Sequence, residues 1–195
     1  MTAIRDAQPG DRDAILTVTL AAYEQYAATL TPPFWAMYRR SIQATLADVG
    51  TAAQIVAEDG GALVGTVLLL PAGSAPATPG GTSTTLPPPE VRLLAVAPSA
   101  RGKGVARALM EACIERARAA GAPALTLHTT DMMAVAMRLY ERMGFARAPE
   151  LDITPAPGIL AKGYRLPLTL PSPERGEGRK GPGREPSPPN GERAG

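Results

Sequence analysis

A short glycine-rich segment at residues 101–107 has the residue types needed to hold a phosphate group. It follows an apolar run that ends at Val96 and opens an amphipathic stretch. The first N–H groups of a helix have no partner within the helix, and the helix dipole places partial positive charge there. Glycines let an anion approach those N–H groups closely. The residues predicted to surround a pyrophosphate are Arg101, Gly102, Lys103, Gly104, Val105, Ala106 and Arg107.

Two common nucleotide-binding patterns do not fit this segment. The dinucleotide pattern G-x-G-x-x-G requires a third glycine where Arg107 stands, and it begins directly after a strand, whereas Pro98 intervenes here. The P-loop pattern G-x-x-x-x-G-K-[ST] does not occur in the chain. The pattern [Q/R]-x-x-G-x-[G/A] does fit, from Arg101 to Ala106.

The elements that must position this segment alternate between strand and helix patterns. The predicted order is β-α-α-β-β-β-α-β-α-β-β, which indicates an α/β protein with a mixed sheet. Strands are predicted at 3–5, 54–59, 62–70, 90–96, 124–128, from 145 onward and at 164–168. Helices are predicted from a cap at Asp11, from Pro32 to Gly50, at 105–120 and at 134–143.

Three segments of the chain together resemble the GNAT superfamily of N-acetyltransferases. The resemblance rests on Leu94-Ala95-Val96, on the glycine pattern, and on the later segment Leu139-Tyr140-Glu141-Arg142-Met143-Gly144-Phe145. It extends over roughly residues 2–168 and includes the order of elements. It implies a mostly antiparallel central sheet flanked by helices, with a splay between two parallel central strands, here 90–96 and 124–128.

The resemblance also implies acetyl-CoA as co-substrate. We expect no metal, because the chain has one cysteine and one histidine. The backbone of Leu94, Ala95 and Val96 is expected to pair with the pantetheine arm, and the pyrophosphate to lie on the N–H groups of residues 102–107. The acceptor amine is expected to enter from the opposite side, near the early helices and the loop at residues 71–89. Met133 stands where many family members have an asparagine that contacts the cofactor arm.

Catalytic roles follow from the same resemblance. Tyr140 occupies the family's position for a general acid, and a phenol with a pKa of ~10 holds its proton at neutral pH. Glu90 opens the central strand and is a candidate base for the amine, acting through water. His128 ends the neighbouring strand and is an alternative base, as is solvent.

Two further groups of residues have open interpretations. The second helix lines the acceptor pocket in this family, and its residues include Arg39 and Arg40. Trp35 and Tyr38 share one of its faces, which serves either substrate contact or core packing. Cys113 lies on the apolar stripe of the helix at 105–120 and is expected to be inert.

Composition sets the domain organisation and excludes several classes of protein. Residues 1–170 are predicted to form the N-acetyltransferase domain, and the proline- and glycine-rich residues 171–195 a disordered tail. A net charge of +2 without a concentrated basic face argues against nucleic acid. Apolar runs are too short for a membrane span, and the N-terminal residues lack a secretory pattern, so we expect a cytoplasmic protein. One cysteine and one histidine exclude an internal disulfide and a multi-histidine metal site.

The expected function is transfer of an acetyl group from acetyl-CoA to a primary amine of a small molecule or peptide. The expected mechanism is direct attack in a ternary complex. The alternative is a non-catalytic acyl-CoA-binding sensor domain of the same fold. A homodimer is possible, since dimers are common among similar proteins.

Overall fold

The computed structural model describes residues 2–74, 87–156 and 158–168. The strands of this part are β1 (Ala3–Asp6), β2 (Ala53–Asp59), β3 (Ala62–Leu70), β4 (Glu90–Val96), β5 (Ala124–Thr129), β6 (Ala146–Arg147), β7 (Ile153–Ala156) and β8 (Ile159–Pro167). The helices are α1 (Arg12–Tyr23), α2 (Pro32–Ala47), α3 (Val105–Ala119) and α4 (Ala134–Arg142). Short 3₁₀ helices lie between them, including Glu24–Tyr26 and Pro149–Leu151.

The strands form a sheet in the order β1-β2-β3-β4-β5-β8-β6, with β7 paired to β8. The β4–β5 pair is parallel, and the other pairs between the described strands are antiparallel. Only Glu90 and Val91 of β4 pair with β5, opposite Thr126 and Leu127. The two strands therefore separate beyond Val91, which confirms the predicted splay.

Helix α3 packs its apolar stripe against the sheet. Val105, Leu109, Cys113 and Ala117 are buried, as their helical spacing predicts. The helix lies so close to β3 that a Cβ on Gly65 would stand 2.9 Å from the Val105 side chain. The start of α3 is thus fixed against the strand next to β4.

The C-terminal part of the sheet differs from the predicted order by one strand. The sequence pattern missed β7, and β8 begins at Ile159 rather than at residue 164. Pro155 lies within β7, and proline is unusual in a regular strand. The predicted strand from Phe145 is only the two residues of β6, because a 3₁₀ helix begins at Pro149.

Two helix ends also differ from the prediction. Helix α2 ends at Ala47 rather than at Gly50, because Asp48 is extended and its carboxylate accepts a hydrogen bond from the Gly50 N–H at 3.1 Å. Asp11 does precede α1, but its side chain does not cap that helix. Its carboxylate accepts from the Gln8 N–H and from Arg5 instead, and these bonds lower the pKa of Asp11 to about 2.

The predicted tail at 171–195 and residues 75–86 of the long loop lie outside the described residues. No helix in the described part of the chain is both long enough and apolar enough to cross a membrane.

Candidate active site

A bulge in β4 shapes the splay. Thr66 of β3 pairs with Ala95 and Leu68 pairs with Arg92, so β4 has an extra residue between these pairs. Leu93 lies in this bulge with a φ of +49°, a left-handed conformation that is costly for a branched side chain. Leu94 completes the bulge, and Ala95 and Val96 follow it. These three residues, which are predicted to pair with a pantetheine arm, lie beyond the last β4–β5 pair. Among the described strands, the β5 side of this backbone has no partner.

The start of α3 is open, as an anion site requires. Gly104 precedes the helix with a φ of +81°, and no side chain caps it. Gly102 also has a positive φ of +75°, and a Cβ at either glycine would project into open space. The N–H groups of the first turn therefore face outward beside the end of β4, with room for a phosphate.

The basic side chains of this segment differ in their partners. Arg101 donates from Nη2 to the Ala22 carbonyl near the end of α1, at 3.1 Å. Arg107 donates from Nε to Glu111 at 2.7 Å, which holds it along the outer face of α3. Lys103 is exposed and forms no ion pair with a described residue. The backbone of the glycine turn and Lys103 are thus the groups best placed to meet an anion.

Tyr140, the predicted general acid, is buried. It lies on α4 with 6% of its surface exposed, and its ring is 6.0 Å from that of Phe145. Burial raises the pKa of the phenol well above its ordinary value, and nearby Tyr26, Cys113 and Tyr38 raise it further. Within the described residues the hydroxyl has no hydrogen-bond partner. Tyr140 therefore carries a proton at neutral pH that no described neighbour engages.

Glu90 forms a cluster with Arg92 and His128. Arg92 donates from Nε to Oε1 and from Nη2 to Oε2 of Glu90, both at 3.0 Å. Nδ1 of His128 lies 3.0 Å from the same Oε1. The structure thus brings the two predicted candidate bases into direct contact across the paired ends of β4 and β5.

The second nitrogen of His128 is also engaged. Nε2 lies 2.7 Å from the Leu151 carbonyl oxygen, in the 3₁₀ helix that precedes β7. Burial lowers the pKa of His128, but the hydrogen bonds to Glu90 and Leu151 outweigh it, so the pKa is raised. For Glu90, burial raises the pKa, but the hydrogen bonds from His128 and Arg92 outweigh that effect and lower it. Glu90 and Arg92 thus form an ion pair, and the raised pKa of His128 favours a positive charge beside it.

An aromatic cluster covers the early-helix side of β4. The ring of Tyr23 lies 5.9 Å from those of Tyr26 and Tyr38 in edge-on geometry, and Trp35 lies 6.3 Å from Tyr38. The cluster packs with Leu93 of the bulge and with Met133, which precedes α4. Trp35 and Tyr38 are only partly buried, whereas Arg39 and Arg40 are exposed. The aromatic residues thus serve packing while keeping part of their surface accessible.

Sequence reasoning missed two parts of the Glu90 cluster. Arg92 lies two positions after Glu90, and alternation along a strand puts both side chains on one face, so a signal existed. The contribution of the Leu151 carbonyl had no signal, because it depends on how residues 148–152 fold back on β8.

Two surface cavities lie apart from the splay. A cavity of about 280 Å³ lies between α3, the end of α4 and β8, where Arg118, Arg142 and Leu166 are among its lining residues. A cavity of about 100 Å³ lies between α1, α2 and β2. Neither of these two cavities is lined by Glu90 or Tyr140.

A mixed sheet with a parallel splay, a bulged central strand and an open helix start define the GNAT fold. The model of the Acetyltransferase (GNAT) family matches residues 19–145, which is more than half of the chain. The chain belongs to this family.

Similar proteins include a curated relative and solved structures. Streptothricin acetyltransferase of Streptomyces lavendulae is 40% identical over 79 residues, which are 40% of this chain and 41% of that protein. The match therefore spans about two fifths of the relative's length. A GNAT-family acetyltransferase from Staphylococcus aureus Mu50 has a TM-score of 0.66 at 14% identity, covering 87% of this chain and 100% of that one. One from Brucella melitensis in complex with acetyl-CoA has a TM-score of 0.58 at 21% identity, covering 89% and 92%. These structures share the fold.

Proposed function

We propose that this protein is an acetyl-CoA-dependent N-acetyltransferase that acts on a primary amine of a small molecule or peptide. The observation that carries the proposal is the uncapped start of α3 beside the end of β4, where two positive-φ glycines leave backbone N–H groups accessible. Membership of the GNAT family supports the same reaction class, and so does the acetyl-CoA bound to the Brucella melitensis protein.

The described residues fit acetyl-CoA in two places. The N–H groups of residues 102–107 would hold the pyrophosphate, with Lys103 adding charge. On the side that faces β5, the backbone of Leu94, Ala95 and Val96 has no partner among the described strands. This edge would hydrogen-bond to the amide groups of the pantetheine arm, as a strand does. Bound acetyl-CoA supplies an activated thioester, and the remaining chemistry belongs to the side chains around the splay.

The reaction we propose is direct attack of a neutral amine on the thioester carbonyl. A C–N bond forms and the C–S bond breaks, so the leaving sulfur needs a proton. Tyr140 is the proposed donor, because its raised pKa keeps the phenol protonated and its hydroxyl has no partner among the described residues. The phenolate is then reprotonated from solvent.

The amine must lose a proton in the same reaction, and Glu90 is the proposed acceptor, through water. His128 is less suited, because both of its ring nitrogens already face hydrogen-bond acceptors. Oε2 of Glu90 accepts only from Arg92 among the described residues, which leaves a lone pair for water or an ammonium group. The lowered pKa of Glu90 also makes it a good partner for a cationic amine before attack.

The test is amine-dependent release of free thiol from acetyl-CoA by the purified full chain. The panel contains streptothricin, because one relative carries that name, together with aliphatic diamines and peptides with free N-termini. Cys113 does not disturb a thiol reagent, because it is fully buried and burial raises its pKa to about 12. We expect thiol release only when a substrate amine is present. Tight acetyl-CoA binding without turnover on any amine would contradict the proposal and favour the sensor.

A further inference from the structure

We propose that His128 is a positioning residue that fixes Glu90 by donating hydrogen bonds from both ring nitrogens, one to Glu90 and one to the Leu151 carbonyl. The inference rests on the proposed function in one respect, namely that Glu90 serves the amine. In this role the doubly protonated His128 of β5 links Glu90 of β4 to Leu151 in the 3₁₀ helix before β7.

The Leu151 carbonyl is a fixed acceptor. His128 pairs with Gly163 in the β5–β8 register. A Cβ on Gly163 would overlap the Leu151 side chain, so residues 148–152 pack directly on β8. The Ala148 N–H donates to the Gly163 carbonyl, and the Gly163 N–H donates to Asp152, both at 2.9 Å. The imidazole therefore approaches a carbonyl that the surrounding backbone holds in place.

The two contacts determine where protons must be. A carbonyl oxygen only accepts, so Nε2 of His128 carries a proton. An ionised carboxylate also only accepts, so the contact between Nδ1 and Oε1 of Glu90 holds a second proton. Arg92 donates to both oxygens of the Glu90 carboxylate, so Arg92 and His128 together hold the carboxylate from two sides. The lone pair that remains on Oε2 then has a fixed direction.

The charges around the imidazole favour its protonated form on balance. Glu90 raises the pKa of His128 and Arg92 lowers it, both from β4. On the other side, His128 lowers the pKa of Asp152, which shows that this carboxylate also faces it. Lys162 of β8 pairs with Asp131 rather than with the cluster. When the pH rises through the raised pKa of His128, the imidazole loses a proton. Nδ1 of His128 and Oε1 of Glu90 are then both acceptors, so the hydrogen bond between them is lost. The link is therefore complete below that pKa and lost above it.

The chain contains a single histidine, so its imidazole can be titrated by NMR without assignment. We expect a midpoint above the ordinary 6.5 in protein freed of any histidine tag. Glu90→Gln should lower the midpoint, because it removes the negative charge that faces Nδ1 of His128. Glu150→Gln is the matched control. Glu150 lies in the 3₁₀ helix that contains Leu151, and its exposed carboxylate pairs with Arg165 of β8, so its loss should leave the midpoint unchanged. A wild-type midpoint at or below 6.5, or one that Glu90→Gln does not lower, would overturn the proposal.

Kinetics of His128→Asn test the positioning role itself. We expect kcat to fall roughly tenfold with the KM for acetyl-CoA unchanged, because the variant loosens a reacting group without touching the cofactor site. The ratio of wild-type to variant kcat should be large below the NMR midpoint and approach one above it. Ionisation of the substrate amine affects both proteins equally, so it cancels in this ratio. A ratio independent of pH would overturn the proposal while leaving the N-acetyltransferase function standing. Absence of turnover in the wild type would instead refute the function. The NMR titration, which needs no activity, decides the proposal if His128→Asn fails to fold.

Discussion

At the scale of single residues, two site residues have raised pKa values for different reasons. Burial raises the pKa of Tyr140 and keeps its phenol neutral, whereas hydrogen bonds to Glu90 and Leu151 raise the pKa of His128 and favour its charged form. The sequence motif predicts a catalytic role for Tyr140, which stays a prediction. The strand order placed His128 and Glu90 near the same splay, and the two side chains are in contact. The role of Leu151 could not be predicted, because a backbone carbonyl has no signature in a sequence.

Tyr140→Phe tests the proposed acid directly. Removing the hydroxyl should lower kcat by roughly 100-fold, within the range for general acid catalysis, with little change in thermal stability. Stability is spared because the hydroxyl has no partner among the described residues. Tyr164→Phe is the control, since it removes a phenol hydroxyl whose hydrogen-bond acceptor, Glu141, is the neighbour of Tyr140 on α4. Activity of Tyr140→Phe equal to that of Tyr164→Phe would refute the assignment.

At the scale of elements, the strands and helices that build the site were the most predictable. Strands β3 and β4 have the predicted bounds, and α3 and α4 each end one residue before the predicted end. Their patterns are strong for different reasons: β3 is a continuous apolar run that is buried on both faces, whereas α3 buries one apolar stripe. The bulge at Leu93 could not be predicted, because its left-handed φ depends on pairing with β3 rather than on a glycine.

Gly65→Ala tests how firmly β3 holds the start of α3. The added Cβ would lie 2.9 Å from Val105 Cγ1, 3.0 Å from Leu109 Cδ1 and 3.1 Å from the Ala95 carbonyl oxygen, and both side chains are buried. We expect a loss of about 1–3 kcal/mol in the free energy of unfolding, measured with denaturant, and weaker acetyl-CoA binding. Gly10→Ala is the control, because a Cβ there meets nothing within 4 Å. Unfolding curves that coincide for wild type and Gly65→Ala would show that this contact is not limiting.

At the scale of the whole molecule, the family and fold were recognisable from the sequence, because the glycine turn and the Tyr140 segment occur at the spacing the fold requires. The acceptor was not recognisable, since the aromatic residues near β4 serve packing as well as partial exposure, and residues 75–86 of the long loop lie outside the described part. The assignment of residues 171–195 as a tail stays a prediction.

Acetyl-CoA binding at the start of α3 is the central claim, and isothermal titration calorimetry tests it most directly. Gly104 and Gly121 bracket α3, have φ values of +81° and +71°, and leave equally open space for a Cβ. Alanine therefore introduces the same backbone strain at either end, but only at residue 104 does it stand before the open N–H groups. We predict binding by the wild type, at least roughly tenfold weaker binding by Gly104→Ala because phosphate approach is blocked, and unchanged binding by Gly121→Ala. Wild-type protein that gives no binding heat, or equal weakening by the two substitutions, would contradict the claim.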